Sequence, residues 1–209
     1  MWKWTSILVL ALVGCGGKST TEAEKKVTET GVDPKKDPLG ALGAFGQMAK
    51  DAGDLQKEME KMTPVEPLHF SKLIAALPDI PSGWTADEAK GESSQMGEMK
   101  TSQSSRTYRK DGGPGEVQIT IADWAYNRAI YLPFMMQAKF SQETTEGYSK
   151  GIKVGEDPGR EEYKIKGRDG SRTVLVRKRY SVTVNIRDMD AAAFDEWWGR
   201  IKVASLPAQ

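Results

Sequence analysis

Five consecutive residues match the spacing of a serine-hydrolase nucleophile. Gly147-Tyr148-Ser149-Lys150-Gly151 follows the pattern G-x-S-x-G, in which a sharp turn between a strand and a helix exposes the serine. In such an enzyme the serine attacks an ester or amide carbonyl while a neighbouring base takes its proton. The motif therefore raises the question of whether the chain is an esterase or a lipase.

The residues around Ser149 argue against that chemistry. The only histidine, His69, precedes Ser149 in the chain, whereas the histidine base of an α/β-hydrolase follows the serine. A helix is predicted before the motif and strand residues, Ile152 and Val154, follow it, which reverses the order that the turn requires. On a strand, Lys150 points away from Ser149 and is a poor base for it. We therefore predict that Ser149 is a sheet residue, that no residue is catalytic, and that the protein is not an enzyme.

The composition removes several other kinds of site. The chain has one cysteine and one histidine, which excludes an internal disulfide bond and any zinc site built on two imidazoles. Its formal net charge is +1, so no overall field attracts nucleic acid. The acidic stretch 155–162 is interpreted as a solvated turn around Pro158-Gly159, with a weak cation site as the alternative. We predict no metal, no cofactor and no nucleic-acid partner.

The N-terminal residues indicate export and membrane attachment. Lys3 precedes an apolar run over residues 7–13, which is shorter than the about 20 residues of a membrane-spanning helix and typical of an export signal. Leu12-Val13-Gly14-Cys15 then resembles the lipobox of bacterial lipoprotein signal peptides. The resemblance implies cleavage before Cys15, diacylation of its thiol and acylation of the new amino terminus. An ordinary secretory signal followed by a free cysteine is the alternative.

The same resemblance implies a location. Lipoproteins of Gram-negative bacteria with Asp after the cysteine are retained in the inner membrane, and Gly16 stands at that position here. We therefore expect a signal peptide over residues 1–14 and a mature chain anchored in the cell envelope through lipidated Cys15. The resemblance places the anchor in the outer membrane, facing the periplasm.

Two segments are expected between the anchor and the folded domain. Residues 15–39 contain no aromatic residue and are rich in Lys, Glu, Thr, Gly and Pro, a composition that predicts a disordered tether. Residues 40–63 carry apolar residues at spacings of three and four, which predicts an amphipathic helix. This helix either docks on its own domain or binds a partner, and its periodicity does not separate the two.

The remaining residues, 64–209, are predicted to form one α+β domain, a mainly antiparallel sheet packed against helices. The stretch 99–110 reads as a polar strand, 111–115 as a hairpin turn, and 116–123 as a strand with one apolar face. His69 is expected to cap the following helix or to lie at the surface. We expect further elements in this order: a helix across 125–141, a strand within 145–155, a hairpin turning at Asp169-Gly170, a strand over 180–187 and a helix capped by Asp188 or Asp190, with Phe194, Trp197, Trp198 and Ile201 on its apolar face.

This element order is similar to that of the PsbP-like fold, an antiparallel sheet flanked by helices. The layout of Leu77-Pro78, then Pro81-Ser82-Gly83-Trp84, then late hairpins also resembles uncharacterised bacterial envelope lipoproteins. Both resemblances concern the pattern of elements over about two thirds of the chain, and neither implies a catalytic residue.

Two surfaces are candidate binding sites. Nine Lys and Arg residues against three acids lie between Arg160 and Arg187, and on one face they would attract an anionic surface or an acidic partner. The predicted basic patch comprises Lys164, Lys166, Arg168, Arg172, Arg177, Lys178 and Arg179; on alternating strands these side chains would instead divide between faces. The segment 131–136 is nearly apolar, and Tyr131, Phe134, Met135 and Met136 are candidates to line a small-ligand pocket, with core packing as the alternative.

The sequence therefore favours a lipid-anchored, non-enzymatic envelope protein that binds another protein or an envelope polymer. A small-ligand-binding domain with an apolar pocket under residues 131–136 is the alternative function.

Overall fold

The structure, a computed structural model, describes residues 50, 53, 54, 56, 57, 60, 61, 63–97, 99–125, 131, 134–136, 138 and 140–207. The signal peptide, Cys15 and the tether lie outside these residues, as does most of the apolar side of the helix predicted over 40–63. The described residues of that range from Lys50 to Lys61 are helical, and Thr63 is not. Within the described residues, no helix is long and apolar enough to cross a membrane.

The predicted α+β class is confirmed. The part of the chain that the structure describes contains one sheet of nine strands, in which every neighbouring pair is antiparallel. In chain order the elements are α1 Phe70–Ala76, β1 Trp84–Ala86, β2 Lys90–Met96, β3 Met99–Lys110, β4 Glu116–Asp123, β5 Gln142–Thr144, β6 Gly147–Val154, β7 Asp157–Lys164, β8 Asp169–Val176, β9 Tyr180–Arg187, α2 Ala193–Trp198 and a 3₁₀ turn at Val203–Ser205.

The spatial order of the strands is β1-β3-β4-β9-β8-β7-β6-β5, and β2 also pairs with β3. Tight hairpins join neighbours along β5 to β9, so this half of the sheet is a meander. The link from β4 to β5 is different, because four other strands lie between these two in the sheet. Residues 124–141, which we call the crossing segment, link these two strands, and Tyr131 of this segment packs against Leu175 of β8.

One face of the sheet holds the core. Val117, Ile119 and Ile121 of β4 alternate with polar residues, as predicted, and all three are fully buried. Helices α1 and α2 cover this face because their own apolar sides, including Leu73 and Trp197, pack onto it. Burial of each such side chain contributes about 1.5–3 kcal/mol. Because successive side chains of a strand point to opposite faces, the residues between these core positions point to the other face of the sheet.

A buried ion pair joins the start of the domain to the centre of the sheet. Arg179 donates from Nε and Nη2 to the two carboxylate oxygens of Asp123, at 2.9 and 2.7 Å. The backbone N–H groups of Leu68 and Ala125 donate to the same carboxylate, each at 2.8 Å. Both side chains are shielded from solvent. We call Asp123 and Arg179 the buried clasp.

Three features of the helices bear on the sequence predictions. His69 caps α1, and its Nδ1 accepts a hydrogen bond from the backbone N–H of Ser71 at 3.3 Å, so the predicted capping role is confirmed. The prediction that Asp188 or Asp190 caps α2 is wrong, because the helix starts later and its N-cap is Ala192, which makes no side-chain cap. The crossing segment is helical at its described residues 131 and 134–136.

Two predicted turns are displaced. Asp169-Gly170 already belongs to β8, paired with Lys164 and Tyr163, and the turn before it spans residues 165–168. Pro158-Gly159 likewise lies in β7 and not in a turn. The turn is instead at 155–156, where Gly155 adopts a positive φ of 61° that glycine tolerates without strain.

Candidate functional site

The outer face of the sheet, opposite the core, is polar and only partly covered. The crossing segment lies on one part of it, where Tyr131 and Leu175 bury each other. The approach is close at Gly151, because a Cβ there would stand 1.7 Å from the carbonyl oxygen of Ala138. The N–H of Gly151 also donates to the carbonyl of Phe140 at 3.0 Å. These contacts leave the neighbouring part of the outer face open.

The open part forms a trough of about 1150 Å³. Its walls are the β5–β6 and β7–β8 turns, and its floor consists of outward side chains and backbone of strands β4 to β9. Its lining residues include Glu116, Gln118, Gln142, Thr144, Glu146, Gly147, Ser149, Glu162, Lys164, Lys166, Gly167, Asp169, Ser171, Asn185 and Arg187.

Strand register arranges six of these side chains in one line across the sheet. Each is the direct cross-strand neighbour of the next, so the line runs perpendicular to the strands. The polar row comprises Gln118, Asn185, Ser171, Glu162, Ser149 and Gln142, from β4, β9, β8, β7, β6 and β5 in that order. With strands spaced about 4.8 Å apart, its five steps span about 24 Å.

The polar row has unused hydrogen-bonding capacity. The side chains of Gln118, Asn185 and Ser171 form no hydrogen bond to any part of the chain that the structure describes. Gln118 is exposed and the other two are half-buried. Amides and hydroxyls both donate and accept, so these groups are open to a ligand without first breaking an internal contact.

The charged groups of the trough are largely paired with one another. Glu116 accepts from Nη1 of Arg187 at 3.1 Å, and Nζ of Lys164 lies 3.9 Å from Asp169. These two pairs sit next to the polar row, one step along the strands. The trough is thus lined by a row in which Glu162 alone is charged, with two ion pairs beside it.

Ser149 belongs to the polar row and lies within β6, so the prediction that it is a sheet residue is confirmed. It is paired with Gln142 on one side and Glu162 on the other, and its hydroxyl contacts Glu162 at 3.4 Å. The strand-to-helix turn of a hydrolase nucleophile is not formed here. Lys150 points to the core face, as predicted, where its Nζ lies 3.3 Å from Glu161.

A second polar cluster lies on the core face, beneath α2. The Tyr148 hydroxyl donates to Glu161 at 2.7 Å, and Arg172 donates to the other oxygen of this carboxylate at 2.6 Å. Burial alone would raise the pKa of Glu161, but these hydrogen bonds and the positive charges of Arg172 and Lys150 hold it below its usual range. Burial and the adjacent carboxylate raise the pKa of Tyr148. The cluster is internally satisfied and reads as a link between the sheet and α2, which Arg172 also contacts through Asp195.

The predicted basic patch is not one surface. Arg172 and Arg179 are only 8% and 5% exposed, because each is held in an ion pair, with Glu161 and Asp123 respectively. Their inclusion in the patch is therefore wrong. Arg172 points from β8 to the core side, Arg179 lies in the β8–β9 turn, and each pairs with a buried carboxylate.

The other predicted patch residues separate to opposite ends of the sheet. Lys164, Lys166 and Arg168 lie at or near the β7–β8 turn, and the first two line the trough. Arg177 and Lys178 lie in the β8–β9 turn, with positive φ values of 53° and 58°. Since β8 runs between the two turns, these groups cannot form one patch.

The predicted apolar pocket residues pack instead of lining the trough. Phe134 and Met135 are partly buried against Tyr131 and Leu175, and Met136 is 62% exposed. None of them is among the lining residues of the trough. The core-packing alternative describes Tyr131, Phe134 and Met135 better, whereas Met136 neither packs nor lines the trough. Within the described residues, no group of three or more acidic, histidine or cysteine side chains is placed to hold a metal ion.

The sequence pattern identified the outward positions of β4 but not the row they belong to. Gln118 alternates with Val117 and Ile119, so its outward orientation is readable from the sequence. Its neighbour Asn185 is far away in the chain, and pairing of β4 with β9 carries no local signal.

No protein-family model matches the chain, and comparisons with curated proteins and with solved structures found no match.

Proposed function

We propose that the protein is a non-enzymatic binding domain, held at a bacterial envelope membrane through lipid on Cys15, that takes a polar partner in the trough. The partner is another envelope protein or a polymer of the envelope. The observation that carries the proposal is the open trough itself, whose floor presents hydrogen-bonding side chains that nothing in the described chain uses.

The trough suits binding better than catalysis. Its candidate nucleophile, Ser149, contacts a carboxylate that Arg160 already holds at 2.6 Å. The carboxylate oxygen that the Ser149 hydroxyl contacts is the same one that Arg160 engages. A histidine is also lacking, because His69 caps α1 elsewhere in the fold.

Crosslinking in living cells tests the binding function. A photoreactive amino acid replaces Asn185 in the centre of the trough, and a matched variant carries it at Gln103, an exposed position of the same sheet face outside the trough. We expect a discrete adduct from Asn185 and none from Gln103. Equal labelling from both positions, or no adduct from either, contradicts the proposal.

The membrane anchor is tested separately. Globomycin, which blocks lipoprotein signal peptidase, is expected to cause the uncleaved precursor to accumulate, and Cys15→Ala is expected to abolish metabolic labelling by palmitate. Normal processing in the presence of globomycin means that the chain carries an ordinary secretory signal.

A further inference from the structure

We infer that the trough binds an uncharged glycan chain that lies along the polar row, across the strands. This inference rests on the proposed binding function and names the chemical class of the ligand. It follows from three properties of the trough, which are the chemistry of its unused groups, its charge and its direction.

The unused groups match a glycan in hydrogen-bonding type. Gln118 and Asn185 carry amides that both donate and accept, and the hydroxyl of Ser171 does the same. The hydroxyl and acetamido groups of a sugar also donate and accept, so each can donate a hydrogen bond to these side chains or accept one from them. A buried polar group without a partner is unfavourable, and a ligand rich in such groups therefore needs a floor of this kind.

The charges of the trough argue against a charged ligand. The single ionised member of the polar row, Glu162, is neutralised by Arg160 at 2.6 Å. The adjacent pairs, Glu116 with Arg187 and Lys164 with Asp169, leave no surplus of either sign. Two further lining residues, Glu146 and Lys166, have opposite charges. Neither an anion nor a cation finds a concentrated counter-charge here.

The direction of the row argues against an extended peptide. Peptides that bind sheets add a strand to an exposed edge, where backbone N–H and C=O groups are free. Strands β4, β9, β8, β7 and β6 are paired on both sides, so a ligand on this face meets side chains only. A peptide crossing the strands would bring a backbone N–H and C=O at every residue, and this face offers no row of free backbone groups to pair with them. A glycan has no such backbone, and a row of about 24 Å accommodates several linked sugars.

Binding measurements with defined probes test the inference on the mature lipidated chain in detergent. The probes are neutral hexasaccharides of glucose and of N-acetylglucosamine, and an uncharged peptide of alternating Ser and Asn. We expect a hexasaccharide to bind and the peptide not to bind. Gln118→Ala and Asn185→Ala should each weaken binding by about threefold to tenfold, the effect of one lost hydrogen-bonding side chain, while the matched Gln103→Ala should bind normally.

Salt supplies a further readout, since binding without ion pairs should change by less than about twofold when about 0.5 M NaCl is added. The glycan inference is overturned, and the proposed function stands, in either of two cases. In the first, the peptide binds and neither hexasaccharide binds. In the second, the crosslink from Asn185 is formed although neither hexasaccharide binds. If both hexasaccharides fail and the crosslink is absent, both proposals fall. Hexasaccharide binding that Gln118→Ala and Asn185→Ala leave intact overturns the assignment to the polar row.

Discussion

Replacing Asp123 by Asn tests how much of the stability depends on the buried clasp. One carboxylate oxygen accepts from Arg179 Nε and the Ala125 N–H, and the other accepts from Arg179 Nη2 and the Leu68 N–H. An asparagine amide retains one oxygen, so in either orientation its NH₂ group faces two donors. The substitution also removes the negative charge that faces the buried Arg179 guanidinium.

The expected change in the free energy of unfolding follows from these lost interactions. Breaking a buried ion pair by removing one partner costs about 3–5 kcal/mol, and we expect Asp123→Asn to lower the free energy of unfolding by about that amount. Domains of this kind have total stabilities of about 5–15 kcal/mol, so the variant should unfold at a much lower urea concentration. Tryptophan fluorescence reports the transition, and an unchanged m-value shows that the effect is on stability.

A matched control separates this effect from the loss of any surface charge. Asp87 pairs with Arg109 at 2.6 Å, but both side chains are 49% exposed, and such pairs contribute at most about 1 kcal/mol. We expect Asp87→Asn to be correspondingly mild. The reasoning is refuted if Asp123→Asn destabilises the domain no more than Asp87→Asn does.

Three further predictions concern other parts of the sheet. The folded-state pKa of Glu161 lies below its unfolded value. The contribution of Glu161 to stability is therefore present above the unfolded pKa of about 4.3 and is lost as the pH falls through the folded pKa. In urea titrations from pH 6 to pH 3, Glu161→Gln should lose less stability than the native chain. Gly151→Ala should cost about 1–3 kcal/mol in thermal unfolding through its clash with the Ala138 carbonyl, whereas Gly113→Ala, with 3.9 Å of clearance, should be tolerated, and equal effects would contradict the close approach. Burial raises the pKa of Tyr108 to about 12, so a difference titration against Tyr108→Phe should assign it no ionisation near pH 10.

Strands with regular apolar alternation were predictable, and so was the polar strand β3 over Met99–Lys110, but the exposed strand β2 was not. The apolar alternation of β4 and β9 has a direct cause, since one face of each packs against the helices. Strand β2 is exposed at all but one of its seven positions and has no apolar face to reveal it. Only Gly91 is partly buried, because Phe70 packs against it at a distance that leaves no room for a Cβ.

The trough was not predictable because it depends on contacts between distant residues. Binary pattern places Ser171 and Asn185 on outward positions, but their adjacency depends on the hairpin register of β8 and β9. The extent of the trough depends further on where the crossing segment lies, and its apolar composition predicted burial without indicating which part of the face it would cover. Charge counting failed for Arg172 and Arg179 for a similar reason, since their buried carboxylate partners, Glu161 and Asp123, come from other strands.

The pairing of β4 with β9 has a consequence for how the chain folds. Strands β1 to β4 and strands β5 to β9 are each built from local pairings, and we expect these to form early because little chain must be closed for each. Only the β4–β9 seam joins them, and the clasp at its end connects residues 56 positions apart. Closing that loop carries the largest entropic cost in the described sheet, so we expect the seam to form late and to limit the folding rate. Mutations at this seam should then slow folding, while equally destabilising ones in the outer hairpins should mainly speed unfolding.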